Sequence, residues 1–181
     1  MRRLISLLLI GLLLTLGGGC GLPGIDREPP DNNGAPVDPN PPQEQVTLTL
    51  YFGDTNAEYL IKEEREVEKG AEPYETLLLN ELIKGPQAQG LVKTVPPETK
   101  LTEIRVVEGT AFVNFSSEFQ TKHWGGSAGE LLTIYSVVNT LTEVPGINQV
   151  QFLIEGDKLD SLAGHMDIQE PLTRDENFIK E

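Results

Sequence analysis

Apolar and polar residues alternate from position 46 onward, which is typical of a β-strand. The alternation covers 46–52 and ends at a turn over 53–56. Residues 58–68 have a composition that favours a helix, but their larger apolar side chains share one parity. We therefore predict an edge strand over 58–68, and we expect its acidic run over 63–66 to face water.

Two later stretches have the period of an amphipathic helix. The first starts at Pro73, which suits the first turn of a helix, and it ends before Gly85. The second opens at Ser127 and carries an apolar stripe at i, i+3, i+4, i+7 and i+10 from Leu131 to Leu141. Both stretches therefore present one apolar face to a core.

Further strands are predicted around these helices: a hairpin over 104–115, a strand over 150–154 and a short last strand near 165–168. The order is strand, strand, helix, hairpin, helix, strand. It predicts an α+β fold, in which a single two-layer domain has two helices packed on one face of a mostly antiparallel sheet.

The N-terminus has the features of an export signal. Met1-Arg2-Arg3 gives a positive start, and the 13 residues from Leu4 to Leu16 are almost wholly apolar. At about 1.5 Å per residue this stretch is roughly 20 Å long, which is shorter than a membrane core of about 30 Å. A stable membrane span is therefore the weaker interpretation.

Small residues precede Cys20, the chain's only cysteine, and this arrangement resembles a bacterial lipobox. The resemblance implies cleavage between Gly19 and Cys20 and a diacylglycerol group on the Cys20 thiol. Gly17 stands where such motifs usually have leucine. Ordinary secretion with a free Cys20 and an uncleaved anchor are the two alternatives. Several acyl chains would give stable anchoring where one would be marginal.

Proline dominates the segment after this cysteine. Residues 21–45 contain seven prolines, three glycines and no aromatic residue. Such a segment cannot bury enough apolar area to offset its ordering entropy, so we predict a disordered linker. The predicted organisation is a lipoprotein signal peptide over 1–19, the lipidated cysteine with its linker over 20–45, and one folded domain over 46–181.

The charge balance narrows the choice of partners. The chain has 14 Lys and Arg against 28 Asp and Glu, for a formal net charge of −14. No basic patch occurs in the sequence, and an acidic surface repels phosphate, so nucleic acid is excluded as a partner. A single cysteine also excludes a disulfide framework and a Cys-based zinc site.

Residues 125–129 match the G-x-S-x-G pattern of a nucleophile elbow. An elbow needs a strand directly before it, and 119–124 does not have a strand pattern. Ser127 and Glu130 also form the S-x-x-E pattern of a capping box, which predicts a helix cap instead of a nucleophile. We therefore predict no catalytic residue and no enzyme activity.

No other group of residues predicts a cofactor or metal site. His123 and His165 are the only histidines, and they lack the spacing of a metal site. Trp124 lies beside two glycines, and we expect it to pack at the core or its edge, with exposed contact with a partner as the alternative. The sequence thus predicts no cofactor and no metal.

Four segments together resemble the GerMN domain of GerM-type sporulation and germination lipoproteins. They are LTLYFGD over 48–54, LLNELIKGP over 78–86, VPPETKLTEIRVVEGTAFVNFSSEF over 95–119 and GSAGELLTIYSVVNTLTEVPGINQVQFLIEGD over 126–157. The resemblance covers about residues 46–172. It implies an extracytoplasmic, non-enzymatic domain related to ring-building modules. GerM-type members carry two such domains in tandem, whereas this chain has room for one.

The expected function is that of a membrane-anchored lipoprotein whose domain serves as an assembly or scaffolding module in the cell envelope, linked to sporulation or germination. Its expected partners are envelope proteins, in a homo-oligomer or a ring complex, and the membrane, through the lipid on Cys20. The expected location is the extracytoplasmic face of the cell membrane. The alternative is a lipoprotein that binds a glycan or peptide by stacking on Tyr51, Trp124 and Tyr135.

Overall fold

The structure, a computed structural model, describes residues 44–180. The predicted signal peptide, the cleavage point between Gly19 and Cys20, the lipid attachment to Cys20 and the linker up to residue 43 lie outside the described residues. In the described part, no helix is long and apolar enough to cross a membrane.

The described residues form nine strands and three α-helices. The strands are β1 (Glu44–Asp54), β2 (Leu60–Lys69), β3 (Leu91–Val92), β4 (Leu101–Val107), β5 (Thr110–Phe115), β6 (Gln149–Ile154), β7 (Asp157–Lys158), β8 (Leu172–Thr173) and β9 (Ile179–Lys180). The helices are α1 (Tyr74–Lys84), α2 (Glu118–Thr121) and α3 (Ser127–Leu141), and Glu176–Phe178 forms a short 3-10 helix.

The first sheet is built on a long hairpin. β1 and β2 pair in antiparallel register from Glu44 with Lys69 to Gly53 with Leu60. β3 joins the outer side of β1, and β9 joins β2 in parallel, which gives the order β3-β1-β2-β9. The strand predicted over 58–68 is thus confirmed, but it is not an edge strand, because β9 pairs with it at Leu60 and Ile61. β1 begins two residues before the predicted domain start.

The second sheet has the order β4-β5-β6-β7, with β8 also paired to β6. β4 and β5 form the predicted hairpin, whose two-residue turn has positive φ at Glu108 and Gly109. β5 and β6 are parallel because α2 and α3 connect them across the sheet. Five of the seven strand pairings in the described part are antiparallel.

One main core joins the helices to both sheets. It is filled by fully buried residues such as Phe52 from β1, Leu78 from α1, Phe115 from β5 and Val138 from α3. The α+β class and the two longer helices are therefore confirmed. The single sheet is corrected to two, because β1 pairs with β2 and β3 while β5 pairs with β4 and β6. Periodicity predicts strands but not which strands become neighbours.

The predicted last strand near 165–168 is wrong. Ile168 is fully buried without being in a strand, and the chain instead forms β8 and β9 further on. The segment before Ile168 is fixed by Glu130 on α3, whose carboxylate accepts hydrogen bonds from the N–H groups of Ala163 and His165 and from the Ser161 hydroxyl, at 2.8–2.9 Å.

The acidic run over 63–66 does not face water uniformly, which corrects the sequence interpretation. Glu63 and Arg65 are buried on β2, and with Glu81 of α1 they form a network that we call the Arg65 network. Arg65 also donates to the carbonyl oxygens of Glu81, at 3.2 Å, and Gly85, at 2.8 Å. Glu63 accepts from two backbone N–H groups at 87 and 88, each at 2.9 Å. The network therefore joins β2 to the end of α1.

Candidate functional site

Trp124 is exposed, which corrects the expectation that it packs at the core or its edge and agrees with the alternative of an exposed side chain. Its side chain is 46% accessible, and Val92 and Tyr59 nearby are 38% and 37% accessible. These are three of the five exposed large apolar side chains in the described residues. Exposed aromatic residues that lie beside other apolar side chains are typical of protein contact sites.

The glycines around Ser127 explain how the chain places Trp124 at the surface. Gly125 has a φ of 90°, which a residue with a side chain rarely adopts. A Cβ atom on Gly129 would lie 2.9 Å from the carbonyl oxygen of Trp124, so only glycine lets the first turn of α3 approach this loop. The G-x-S-x-G pattern is thus a tight loop–helix junction that holds the tryptophan.

Two depressions run along the first turns of α3 and meet at Ala57 and Leu132. The larger, of about 420 Å³, is also lined by Glu58, Tyr59, Ala128, Leu131, Asn177 and Phe178. The smaller, of about 60 Å³, is also lined by Val92, Lys93, Thr94, Trp124, Gly129 and Thr133. We call the lining of both depressions the Trp124 surface. Apolar and polar side chains both line it, and Glu58 and Lys93 are the charged residues among them.

His123 supports Trp124 from behind. The two rings stack with centroids 6.4 Å apart, and Nε2 of His123 lies 3.2 Å from the Thr133 hydroxyl oxygen. That hydroxyl donates to the carbonyl oxygen of Thr94 at 2.6 Å. Burial of the imidazole lowers the pKa of His123 below its ordinary value, so the ring is neutral at pH 7. His123 is therefore a half-buried support for Trp124.

The predicted capping box is wrong. The N-cap of α3 is Gly126, and no side chain makes a capping hydrogen bond there. Glu130 is fully buried and binds the 161–165 loop instead of its own helix end. Burial opposes ionisation of Glu130, but the hydrogen bonds from Ala163, Ser161 and His165 outweigh it and lower the pKa. Sequence spacing alone does not reveal such a distant partner.

The structure also lacks the strand that a nucleophile elbow requires before Ser127. The segment before the glycine loop contains the short helix α2 instead. Ser127 is exposed at the start of α3, and His165 is exposed and contributes its backbone N–H to Glu130. In the described part, no group of three or more His, Cys, Asp or Glu side chains is placed to hold a metal ion.

The aromatic residues considered for glycan stacking do not share one open site. Tyr51 is 3% accessible, and Tyr135 stacks on Phe178 at a centroid distance of 4.6 Å. Both belong to a small apolar cluster with Leu132, whereas Trp124 lines the smaller depression. Trp124 alone of the three is widely exposed.

A second groove, of about 510 Å³, lies beside Tyr51. Its lining includes three cationic residues, Lys62, Arg174 and Lys180. Arg174 is held by Glu143 at 2.9 Å, by the Tyr51 hydroxyl at 2.8 Å and by Glu176, a set that we call the Arg174 network. Burial and the hydrogen bond to Glu143 raise the pKa of Tyr51. Sequence reasoning did not single out this groove, because its residues are distant along the chain.

A family model, Germane, described as sporulation and spore germination, matches residues 49–160. The chain belongs to the Germane family. This family is not a known enzyme family. The matched range contains most of the Trp124 surface, including Tyr59, Trp124 and the first turns of α3. No curated protein matches the chain.

Solved structures agree with membership in the Germane family. The first GerMN domain of the sporulation protein GerM from Bacillus subtilis is 26% identical, with a TM-score of 0.62 over 71% of this chain and 98% of that domain. A candidate lipoprotein from Clostridium perfringens is 25% identical, with a TM-score of 0.52 over 76% of this chain and 93% of that one.

The tandem GerMN domains of the same GerM protein share the fold, with 22% identity and a TM-score of 0.61 over 79% of this chain. The match covers 49% of the tandem structure. The resemblance to GerMN domains inferred from the sequence is therefore confirmed, and the family links this chain to sporulation and germination.

Proposed function

We propose that this protein is a lipid-anchored, non-enzymatic assembly module on the extracytoplasmic side of the cell membrane, where it binds an envelope protein through the Trp124 surface. The observation that carries the proposal is the exposure of Trp124 in the smaller of two depressions that meet at Ala57 and Leu132. Family membership supports a role in sporulation or germination. The N-terminal signal pattern and Cys20 support the anchor.

The residues of the Trp124 surface indicate which kind of partner would bind there. An apolar side chain of the partner, inserted beside Leu132, would be shielded from water by Tyr59 and Trp124. Such desolvated anchor residues are found at the centre of protein interfaces. Lys93 lines the smaller depression, and Lys122 is exposed two residues before Trp124. We therefore propose a partner segment with an apolar anchor residue and acidic neighbours.

Photo-crosslinking from position 122 in native membranes tests the contact. A photoreactive residue at Lys122, which is exposed two residues before Trp124, is expected to capture one envelope protein, and the same probe at Lys158, exposed on β7, is expected not to. Trp124→Ala should abolish the complex, whereas Trp124→Phe should retain part of it, because an aromatic anchor truncated to Ala costs at least about 2 kcal/mol. Capture that persists in Trp124→Ala membranes would contradict the proposal.

Mass spectrometry of the membrane fraction tests the anchor separately. We expect a mature chain that begins at a diacylglycerol-modified Cys20. A Cys20→Ser variant should remain unprocessed and lack the lipid, while the folded domain keeps its thermal unfolding midpoint. Mature chain without lipid in the culture medium would refute the anchor and leave the Trp124 contact to be judged by the crosslinking experiment.

A further inference from the structure

The outer strand of the second sheet has an open edge. β4 pairs with β5 on one side, and within residues 44–180 no strand pairs with its other side. Val106 and Val107, with accessibilities of 41% and 45%, lie on this strand. An open edge presents unpaired N–H and C=O groups that fit another strand.

The hairpin register determines which backbone groups face outward. Val107 closes the hairpin across a two-residue turn, so its N–H and C=O point toward β5. Bonded and non-bonded positions alternate along an antiparallel pair, so Arg105 and Glu103 also direct their backbone groups toward β5. The N–H and C=O of Ile104 and Val106 therefore point to the open edge.

We propose that β4 pairs with β4 of a second copy, in antiparallel register about a two-fold axis at Ile104. In this register the backbone groups of Ile104 bond those of the partner's Ile104. Each Glu103 then lies opposite the partner's Arg105, in the non-hydrogen-bonded position where side chains stand closest. Glu103 and Arg105 are exposed in the single chain, where the Arg105 guanidinium lies over the Phe112 ring of β5 with its carbon 4.5 Å from the ring centroid.

Charge selects this register over its neighbours. An axis at Glu103 would place two glutamates opposite each other, and an axis at Arg105 would place two arginines opposite each other. Like charges in directly opposed positions destabilise strand pairing. An axis between two residues would set an outward-facing backbone group against an inward-facing one, so its hydrogen bonds would not form.

The contact is short and therefore weak by itself. A β-bulge between Leu101 and Glu103 ends the regular part of the strand, so the regular segment that pairs about an axis at Ile104 is only three residues long in each copy, 103–105. Its buried area is below the roughly 1,200 Å² of a stable interface, and tethering of both copies to one membrane would raise their effective concentration. β4 contains no residue of the Trp124 surface, so this inference stands independently of the proposed function.

Charge reversal tests the register. The full chain in detergent is examined by sedimentation velocity at rising protein concentration, and a reversible dimer is expected. Glu103→Arg and Arg105→Glu should each weaken dimerisation about tenfold, because like charges then face each other twice. The double variant restores opposite charges and should return to within about threefold of the original affinity. Glu66→Arg, on β2 of the other sheet, is the matched control and should have no effect.

Disulfide trapping in native membranes provides a second measurement that detects weak pairing. Chains with Glu103→Cys are co-expressed with chains that carry Arg105→Cys, and a covalent dimer is expected in the mixture and not with either variant alone. Cys20 is common to all samples and sets the background. The proposal is supported by the mixed crosslink or by the charge-reversal pattern. It is overturned if no mixed crosslink forms and the chain is monomeric, or if the dimer withstands both single reversals.

Discussion

Arg65 and Arg174 each hold two carboxylates, but at different depths. The Arg65 side chain is 3% accessible and its two carboxylates are 6% and 8% accessible, whereas Arg174 is 26% accessible and Glu176 is 71% accessible. Arg65 also lies over the ring of Phe52 in the core, with its guanidinium carbon 5.7 Å from the ring centroid. The same type of ion pair therefore joins β2 to α1 in one place and fastens the C-terminal segment at the surface in the other.

The difference shows that the burial of such a network, more than the number of its contacts, decides how much it contributes to stability. Both arginines use most of their N–H donors, and Arg174 also donates to the carbonyl oxygen of Asn139 at 2.9 Å. Water can replace the lost partner of an exposed charge, but a buried charge without a partner keeps its full desolvation cost. We therefore expect unequal consequences when the two networks are broken.

The largest expected effect is that of Arg65→Met. The substitution leaves Glu63 buried without its cation and Glu81 with Lys84 as its remaining cation, and breaking a buried pair costs about 3–5 kcal/mol. Urea denaturation of the variant should show this loss in the free energy of unfolding, with the m-value unchanged. A loss below about 1 kcal/mol would mean that water replaces Arg65 at Glu63 and that Lys84 alone is sufficient for Glu81, which would contradict the difference expected between the two networks.

The next effect is a dependence of stability on acid that originates in the Arg65 network. Burial opposes ionisation of Glu63, but hydrogen bonds from Ala88, Arg65 and Gln87 outweigh it and lower the pKa. The pKa of Glu81 is also lowered, because hydrogen bonds from Lys84 and Arg65 outweigh the opposing effect of its burial. The unfolded chain then binds more protons than the folded one at low pH. This stabilisation is present above the ordinary glutamate pKa of about 4.3 and is lost as the pH falls through the folded values.

Thermal unfolding midpoints measured from pH 7 to pH 3 check this dependence. We expect a steep decline below about pH 4.5 in the original chain and a shallower one in Arg65→Met, which has lost one cause of the lowered pKa values. Parallel curves for the two proteins would assign the acid sensitivity to other carboxylates.

A smaller effect is expected for Arg174→Met. Its hydrogen bonds to Glu143, Glu176 and Tyr51 are charge-assisted but partly solvated, so the loss should be about 1–2 kcal/mol. Hydrogen exchange should increase locally at 174–180, because Arg174 fastens this segment to α3 and β1. If exchange increases across the whole domain, Arg174 stabilises the whole fold as Arg65 does, and the expected difference between the two networks is contradicted.

The smallest effect is expected for Glu64→Gln, one residue away from Glu63. Glu64 is paired with Lys62 at 3.0 Å, and both side chains are more than half accessible. An exposed pair of this kind contributes about 0–1 kcal/mol, so the midpoint of urea denaturation should hardly move. Glu63→Gln, its neighbour on the opposite face of β2, is the matched variant and should destabilise clearly.

Much of the fold could be predicted from the sequence. Alternation and helical period located β1, α1, the β4–β5 hairpin, α3 and β6. Each of these elements buries one face, so its apolar residues recur at the spacing of a strand or a helix. The errors concern residues whose environment comes from distant parts of the chain. Glu63 was expected to face water but is buried against Arg65 and the loop after α1, and Glu130 was expected to cap its helix but binds the 161–165 loop.

In the candidate site, too, the sequence predicted local features but not the contacts between distant parts of the chain. The sequence singled out Trp124 and its glycine neighbours, but it did not reveal that Ala57 and Val92 lie beside the tryptophan. The positive φ of Gly125 and the close approach at Gly129 expose the indole, and neither is readable from spacing. The groove at Arg174 was missed entirely, because its lining comes from β1, β2 and the last residues described.

The sequence by itself determined the two-helix α+β class, the strongly acidic charge and the resemblance to GerMN domains, because these depend on composition and local order. Only the tertiary structure decided that the strands divide into two sheets, that Arg65 is buried, that Trp124 is exposed and that β4 forms an open edge. The physical reason is that burial and strand neighbours are set by contacts between residues far apart in the chain, and local periodicity carries no information about them.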